Sequence, residues 1–365
     1  MKPQLTPGEI LEIYRKKGLP ENFCPVPFST LLFEANGNVC MCRRKGSEFA
    51  IGNIQEQDYL EIWNGEKLKN IRAEFLTGRL RTCAVEVERD HCNLDANNAD
   101  SLPFIELAVE QQRHPLRISP NFNGHCNVQC EMCHIWRYPD GLYDKIGFWR
   151  TLENDILPHL REIDTFSGEP FIQKDTYRLI EMAAHANPNI FWSFTTNANW
   201  RLNDTIRRYL DMIQVKTFNL SIDSVDPAVY ASIRRGGNLD KVLINFDLLQ
   251  LYEQERIAAG KSALGLTIHS VIQRSNWKGI PALLTLRKQR NARIHLKCLF
   301  EPPELSLIGM TAAEKRQILA YLLESLGREE LMMTAALWKV LLKDIPKSDR
   351  LELILEFQKK TGIFR

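Results

Sequence analysis

Between residues 115 and 300, short apolar runs alternate with amphipathic helical stretches, and few folds accommodate that rhythm. The strand candidates are Leu116–Phe122, Ile163–Ser167, Ile190–Thr196, Thr217–Asp223, Leu264–Ile272 and Ala292–Phe300. Helical segments fall between them, among them Trp149–Leu160, Asp204–Ile213, Leu239–Tyr252 and Trp277–Lys288. Parallel strands need crossovers of about a dozen residues, usually helical, so repeated strand–helix alternation predicts an α/β fold with a parallel sheet or barrel.

Successive residues of a strand point to opposite faces, so each candidate can be split by parity. In TFNLSID, one face carries Thr217, Asn219, Ser221 and Asp223, and the other Phe218, Leu220 and Ile222. FWSFTTN separates Ser193, Thr195 and Asn197 from Trp192 and Phe194. In the last two strands the more polar parity holds Thr267, His269 and Gln273, then His295, Lys297 and Glu301. A closed eight-stranded barrel fills its interior with Val, Ile and Leu. A polar inner face instead predicts an open, partial six-stranded barrel whose lumen takes something hydrated.

At 365 residues the chain exceeds the ~250–300 residues that one core supports. Cysteine placement suggests where it divides: Cys24, Cys40, Cys42, Cys83 and Cys92 precede the alternating region, Cys126, Cys130 and Cys133 fall just inside it, and Cys298 stands alone. The expected organisation is a cysteine-rich α+β unit at 1–105, the partial barrel at 106–302 and a helical segment at 303–365. A net charge of +2 argues against nucleic acid or an anionic membrane as partner. No apolar run approaches the ~20 residues of a membrane span. The opening MKPQLTPGEILEIYRKKG carries charges where a signal peptide needs an apolar core, so a cytoplasmic location is expected. In a reducing compartment, clustered thiols are metal ligands more often than disulfides.

The stretch CNVQCEMC, Cys126 to Cys133, follows the first strand candidate directly. Three thiolates can hold three irons of a [4Fe–4S] cluster and leave the fourth open, and an open position is what a catalytic metal site needs. The alternative is a zinc site that borrows His125 or His134 as fourth ligand.

The spacing Cys126-x3-Cys130-x2-Cys133 on such a loop resembles the signature of the radical S-adenosylmethionine superfamily. Further segments resemble that family in the same order. Ser167-Gly168-Glu169-Pro170 is similar to its GGEP motif, with Ser in the first Gly position; Thr196-Asn197 to its TTN segment; Ser221-Ile222-Asp223 to the segment on the next strand; and YASIRRGG to its YxxIRxG stretch. The resemblance implies that Ser167, Gly168, Glu169 and Pro170 meet the amino group of S-adenosylmethionine. It also implies that Thr196, Asn197, Ser221 and Asp223 contribute to the cofactor site, and that Arg234 or Arg235 pairs with its carboxylate. Met132 departs from the family, where an aromatic commonly precedes the last cysteine. The resemblance covers about residues 115–300.

The front cysteines lie on FCPVPFSTLLFEANGNVCMC, two strand-like runs around Asn36-Gly37, a strong hairpin turn signal. Cys24-x12-Gly37-x4-Cys42, followed by GNIQEQDYLEIWNGEKLKNIR, resembles the opening of SPASM and Twitch auxiliary-cluster domains. The resemblance implies one auxiliary iron–sulfur cluster, expected to be [4Fe–4S], on Cys24, Cys42, Cys83 and Cys92, with Cys40 as the alternative to Cys42. Two departures stand out: the domain precedes the barrel, and the last pair is spaced x8. A structural zinc site on the same four cysteines is the competing expectation.

The activity implied is reductive cleavage of S-adenosylmethionine to a 5′-deoxyadenosyl radical, which abstracts a hydrogen atom from substrate, with a flavodoxin- or ferredoxin-type protein as reductant. Oxidative modification of a peptide side chain is the first expectation. A sugar or cyclitol dehydrogenase or epimerase is the second, and a non-catalytic iron–sulfur or zinc regulatory protein is the alternative from another class. Asp223, His269, His295, Lys297 and Glu301 are the candidate bases for a substrate radical. Cys298 shares parity with Ile294 and Leu296 and is expected to be buried and inert.

Overall fold

The computed structural model describes residues 5–43, 49–83, 96–138 and 141–362. In chain order its strands are β1 (Thr30–Phe33), β2 (Asn38–Cys40), β3 (Gly52–Asn53), β4 (Arg117–Pro120), β5 (Gln129–Cys130), β6 (Glu162–Thr165), β7 (Phe191–Thr196), β8 (Gln214–Ser221), β9 (Arg234–Arg235), β10 (Leu266–Ile272) and β11 (Arg293–Cys298). The expected strands of the alternating region correspond to β4, β6, β7, β8, β10 and β11, with helices between them. The fold is α/β with parallel strands.

The chain divides into two compact units. The first comprises Met1–His125, Ile135–Phe194 and Asp204–Lys216. In it β4 runs parallel to β6, and β6 to β7. The hairpin turns at Asn36-Gly37, with Gly37 at φ +86°, and pairs Phe33 with Val39. Its outer strand β2 takes β3 antiparallel, while β1 pairs parallel with β4, Leu31 opposite Ile118. The cysteine-rich hairpin therefore extends the parallel strands and shares their core. Phe33 lies 4.9 Å from Phe148 between ring centroids, and Phe122 lies 4.5 Å from Tyr143 and 5.1 Å from Trp149. Ahead of the hairpin, Thr6 caps the helix Pro7–Lys16 and Glu9 bonds back to the Thr6 amide, which pairs the amides the first turn leaves open.

Trp149–Leu160 does not form the continuous helix its periodicity predicts. A π turn at Leu152–Ile156 and a 3₁₀ turn at Leu157–His159 follow the short helix Phe148–Thr151. Pro158 supplies the reason: it has no N–H, and its ring would meet the carbonyl of Asn154 in an α-helix.

The second unit comprises Cys126–His134, Thr195–Asn203 and Thr217–Arg365. Here β8, β10 and β11 are parallel neighbours, with Ser221 beside His269 and His269 beside His295. The short strands β5 and β9 form a separate antiparallel ladder in which Cys130 pairs with Arg234. Burial matches the parity read from sequence only in part: Phe218, Leu220, Ile268, Ile272 and Leu296 on the apolar parity are buried, while on the polar parity His295 and Lys297 are exposed but Ser221, Thr267 and Gln273 are buried. Cys298 is buried on the apolar parity, its Sγ 3.4 Å from the Leu299 carbonyl. The C-terminal helices Ala312–Ser325, Ala335–Leu341 and Lys347–Thr361 complete this core, Ala335–Leu341 packing on β11. The stretch REELMMTAALWKVLLKDI breaks at Thr334, whose hydroxyl bonds back to the Leu331 carbonyl at 2.7 Å. No helix of the described residues is long and apolar enough to cross a membrane.

Candidate functional site

In the second unit the cysteine loop is shaped by polar contacts. Cys126, Cys130 and Cys133 are all half-buried. Asn197 directs its Nδ2 at Cys126 Sγ, 3.5 Å away, and at Asn127 Oδ1, 2.8 Å away. Asn199 accepts a 2.9 Å bond from Asn127 on its main-chain carbonyl and donates one of 2.9 Å to the Tyr230 hydroxyl. Thr196 holds this turn through its hydroxyl, which receives the Ala198 amide at 3.0 Å and the Trp200 indole at 2.8 Å.

On the other side of the loop, Arg234 places its Nη1 3.6 Å from Cys130 Sγ and its Nε 2.8 Å from Asp223 Oδ2. Asp223 is fully buried, and its Oδ1 accepts the Val271 amide at 2.8 Å. Burial alone would pull the Arg234 guanidinium down; Asp223, with Cys130, reverses this and holds it above its ordinary value. Burial pushes the Cys130 thiol up, and Arg234 offsets part of that. Arg235, one residue on, is exposed.

Thus Thr196, Asn197, Asp223 and Arg234 are brought to the cysteine loop, and Ser221 is buried at the end of β8. His269 is half-buried between Ser221 and His295 on one face of the sheet, while His295, Lys297 and Glu301 are exposed. Both Asp223 carboxylate oxygens are engaged, Oδ1 by the Val271 amide and Oδ2 by Arg234. Asn127, Asn199, Glu131, Gln273 and Asn276 also converge on the loop or its partners, and sequence reading had left them unassigned as site residues. Asn199 had a signal in the second Asn of TTNAN; Gln273 had only its parity.

In the first unit the Ser167–Pro170 turn presses on residues 123–125. Gly168 has φ +59°, and a Cβ there would lie 2.3 Å from the His125 carbonyl oxygen and 2.4 Å from Gln173 Nε2. The Glu169 amide donates to the His125 carbonyl at 2.9 Å, and the Ser167 hydroxyl donates to the Asn123 carbonyl at 3.0 Å. Ser167, Glu169 and Pro170 are buried. Only glycine fits the second position of this turn.

Of the front cysteines, Cys24, Cys42 and Cys83 are half-buried and Cys40 is wholly buried, its thiol pushed up to about 12 chiefly by burial. Cys92 lies outside the described residues. Beside Cys42, the Arg43 guanidinium stacks 3.5 Å from the Phe166 ring centre and pairs with Asp164.

Residues 24–93 match the SPASM family, described as an iron–sulfur cluster-binding domain. Residues 121–259 match the radical SAM superfamily. The chain carries a radical SAM domain and a SPASM domain. The radical SAM domain implies a [4Fe–4S] cluster and S-adenosylmethionine, and the SPASM domain implies auxiliary iron–sulfur clusters. GTP 3′,8-cyclase of Shewanella denitrificans is 30% identical over 143 residues, which cover 37% of this chain and 40% of that protein. The cyclase of Nitrobacter winogradskyi is 26% identical over 162 residues, 44% of this chain and 43% of that one. The chain thus matches about two fifths of the length of these relatives. Among solved structures, Streptococcus suis SuiB bound to the precursor peptide SuiA covers 72% of this chain and 60% of its own at 15% identity and a TM-score of 0.41.

The donor set of the radical SAM loop fits an iron–sulfur cluster, since N–H groups aimed at two of the three sulfurs suit thiolates. Among the described residues no three His, Cys, Asp or Glu side chains are gathered tightly enough to share one metal ion. A four-iron cluster does not require that, because each of its thiolates binds a different iron.

Proposed function

We propose that this protein is a radical S-adenosylmethionine enzyme that abstracts a hydrogen atom from its substrate. The observation that supports this most is the thiol loop itself: in a radical SAM domain, Asn197 and Arg234 direct N–H groups at Cys126 and Cys130. Cys126, Cys130 and Cys133 hold the cluster and leave one iron for the cofactor. When bound, the cluster supplies the electron that cleaves S-adenosylmethionine to the radical that attacks substrate.

The chain's own residues position and exclude. By the family resemblance the Ser167–Pro170 turn meets the amino group of the cofactor, and Gly168 lets its backbone pack against the His125 carbonyl. Thr196 and Asn197 fix the turn beside the loop, Ser221 ends β8 and Asp223 lies two residues beyond it. Arg234 is engaged by Asp223 and Cys130, which leaves the exposed Arg235 to pair with the cofactor carboxylate. His269 is the favoured base among the candidates on the polar face, because it is half-buried while His295, Lys297 and Glu301 are exposed. Cys24, Cys42, Cys83 and Cys92 hold the auxiliary cluster, with Cys40 too buried to serve.

The reaction is an oxidative modification of a peptide side chain, supported by the SPASM domain and driven by a flavodoxin- or ferredoxin-type reductant in the cytoplasm. The polar face formed by Asn219, Ser221, Thr267, His269 and His295 favours a second reading, oxidation of a polyhydroxylated small molecule such as a sugar or cyclitol. The test is anaerobic reconstitution, then incubation with dithionite and S-adenosylmethionine, following 5′-deoxyadenosine by mass spectrometry. Formation that is lost in Cys126→Ala supports the enzyme. A fully loaded protein that forms none would sink it and direct attention to metal-dependent regulation. Adding peptide or polyol libraries to the active protein then separates the two substrate classes.

A further inference from the structure

Glu131 lies inside the cysteine loop, one residue after Cys130 and two before Cys133. Its amide donates to the Ile233 carbonyl at 2.9 Å, which fixes its backbone to the segment bearing Arg234. Its carboxylate is held from elsewhere: Gln273, one residue past β10, donates its Nε2 to Glu131 Oε1 and also lies 2.9 Å from the Ser275 hydroxyl. Gln273 is fully buried.

Gln273 is itself held in place. Its amide donates to Asn276 Oδ1 at 2.8 Å, and Asn276 Nδ2 donates to the Asp223 and Val271 carbonyls at 2.9 Å each. Asp223 in turn binds Arg234, and Arg234 reaches Cys130. The contacts close a polar ring that runs Cys130, Arg234, Asp223, Asn276, Gln273, Glu131 and back to Cys130 through one peptide bond. Such a ring is stiffer than separate contacts, since each link limits the movement of the next.

We propose that Gln273 is a positioning residue for the cluster: through Glu131 it fixes the loop between the second and third thiolates. Held by the Gln273 amide, the Glu131 carboxylate ties the loop to the end of β10. The proposal rests on the reading that Cys126, Cys130 and Cys133 hold a cluster.

The test uses the full-length, reconstituted protein and an iron chelator, with the rate of iron release and the electron paramagnetic resonance spectrum of the reduced cluster as readouts. Gln273→Met keeps the volume but removes the donor, Glu131→Met removes the acceptor, and Glu131→Gln keeps an acceptor oxygen. Losing a hydrogen bond to a charged group should speed release by about tenfold in either Met variant. Because both act through one bond, the double Met variant should release iron no faster than the single ones, and Glu131→Gln should stay at the wild-type rate. The spectrum should shift in the Met variants and not in Glu131→Gln. Release at the wild-type rate in Gln273→Met would overturn the proposal, as would effects that multiply in the double variant. Failure of the underlying reading looks different: replacing Cys126, Cys130 and Cys133 together by Ala would then remove no iron from the wild-type content.

Discussion

Arg234 Nε lies 2.8 Å from Asp223 Oδ2 in an ion pair whose members are almost wholly withdrawn from solvent, Asp223 at 0% and Arg234 at 7% side-chain exposure. Arg234 thereby carries a positive charge to the sulfur of Cys130. A buried guanidinium that lost its partner would be an uncompensated charge. Asp223→Leu should therefore cost about 3–5 kcal/mol of unfolding free energy. Arg235→Ala, one residue on and exposed, should stay within about 0.5 kcal/mol. Urea unfolding of both variants checks this, and equal stability would show that the pair does not hold the segment.

A cluster of three charges sets an acid limit on the first unit. Glu162 on β6 receives Arg117 Nη2 at 2.9 Å and Lys216 Nζ at 3.1 Å. Burial alone would raise its carboxyl, but the two cations overcome that and hold it below the usual range. A carboxylate lowered in the folded state stabilises fully above its unfolded pKa of about 4.3 and loses that contribution as pH falls toward the folded value. Glu162→Gln should cost about 1–3 kcal/mol at pH 7. The gap to the wild type should narrow as the pH falls below about 4.3. Denaturant midpoints at a series of pH values test this; a gap that is constant with pH would refute the assignment.

Gly168 should tolerate no side chain. With φ at +59° and a Cβ 2.3 Å from the His125 carbonyl oxygen, Gly168→Ala must move the turn or the backbone before Cys126. The backbone strain alone is of order 1–3 kcal/mol. Loss of the Glu169–His125 bond follows. The expected outcome is weaker binding of S-adenosylmethionine in a titration of the reconstituted protein, with the cluster content retained. Unchanged binding would show that the turn does not meet the cofactor.

Ala198 presents the opposite case. It is buried at φ +55°, a left-handed conformation that costs a Cβ-bearing residue roughly 1–2 kcal/mol. The Thr196 hydroxyl and Asn245, which donates to the Ala198 carbonyl at 3.4 Å, hold it there. Ala198→Gly should relieve the strain and raise stability by up to about 1 kcal/mol, part of the gain being returned by the freer unfolded chain. A thermal melt decides it, and a lower melting temperature would mean the alanine methyl contributes more packing than the strain costs.

Much of this was legible before any coordinates. The six strands of the alternating region and the hairpin at Asn36-Gly37 follow from periodicity and turn chemistry, which act over a few residues. The thiol spacing Cys126-x3-Cys130-x2-Cys133 is equally local. Where local rules met a competing local term, the outcome shifted: Pro158 broke the periodic helix Trp149–Leu160.

The sequence by itself determined the strand–helix order, the parity of each strand and the placement of three thiols after the first strand of the array, because each is a property of neighbouring residues. Only the tertiary structure decided that Arg234, rather than Arg235, turns inward to Asp223 and Cys130, and that Gln273 reaches Glu131 across 142 positions of chain. It also decided that β1 of the hairpin pairs with β4. The physical reason is common to all three. A buried charge, amide or strand edge must find a partner, and which partner it finds depends on where folding brings distant segments together, a quantity no local pattern encodes.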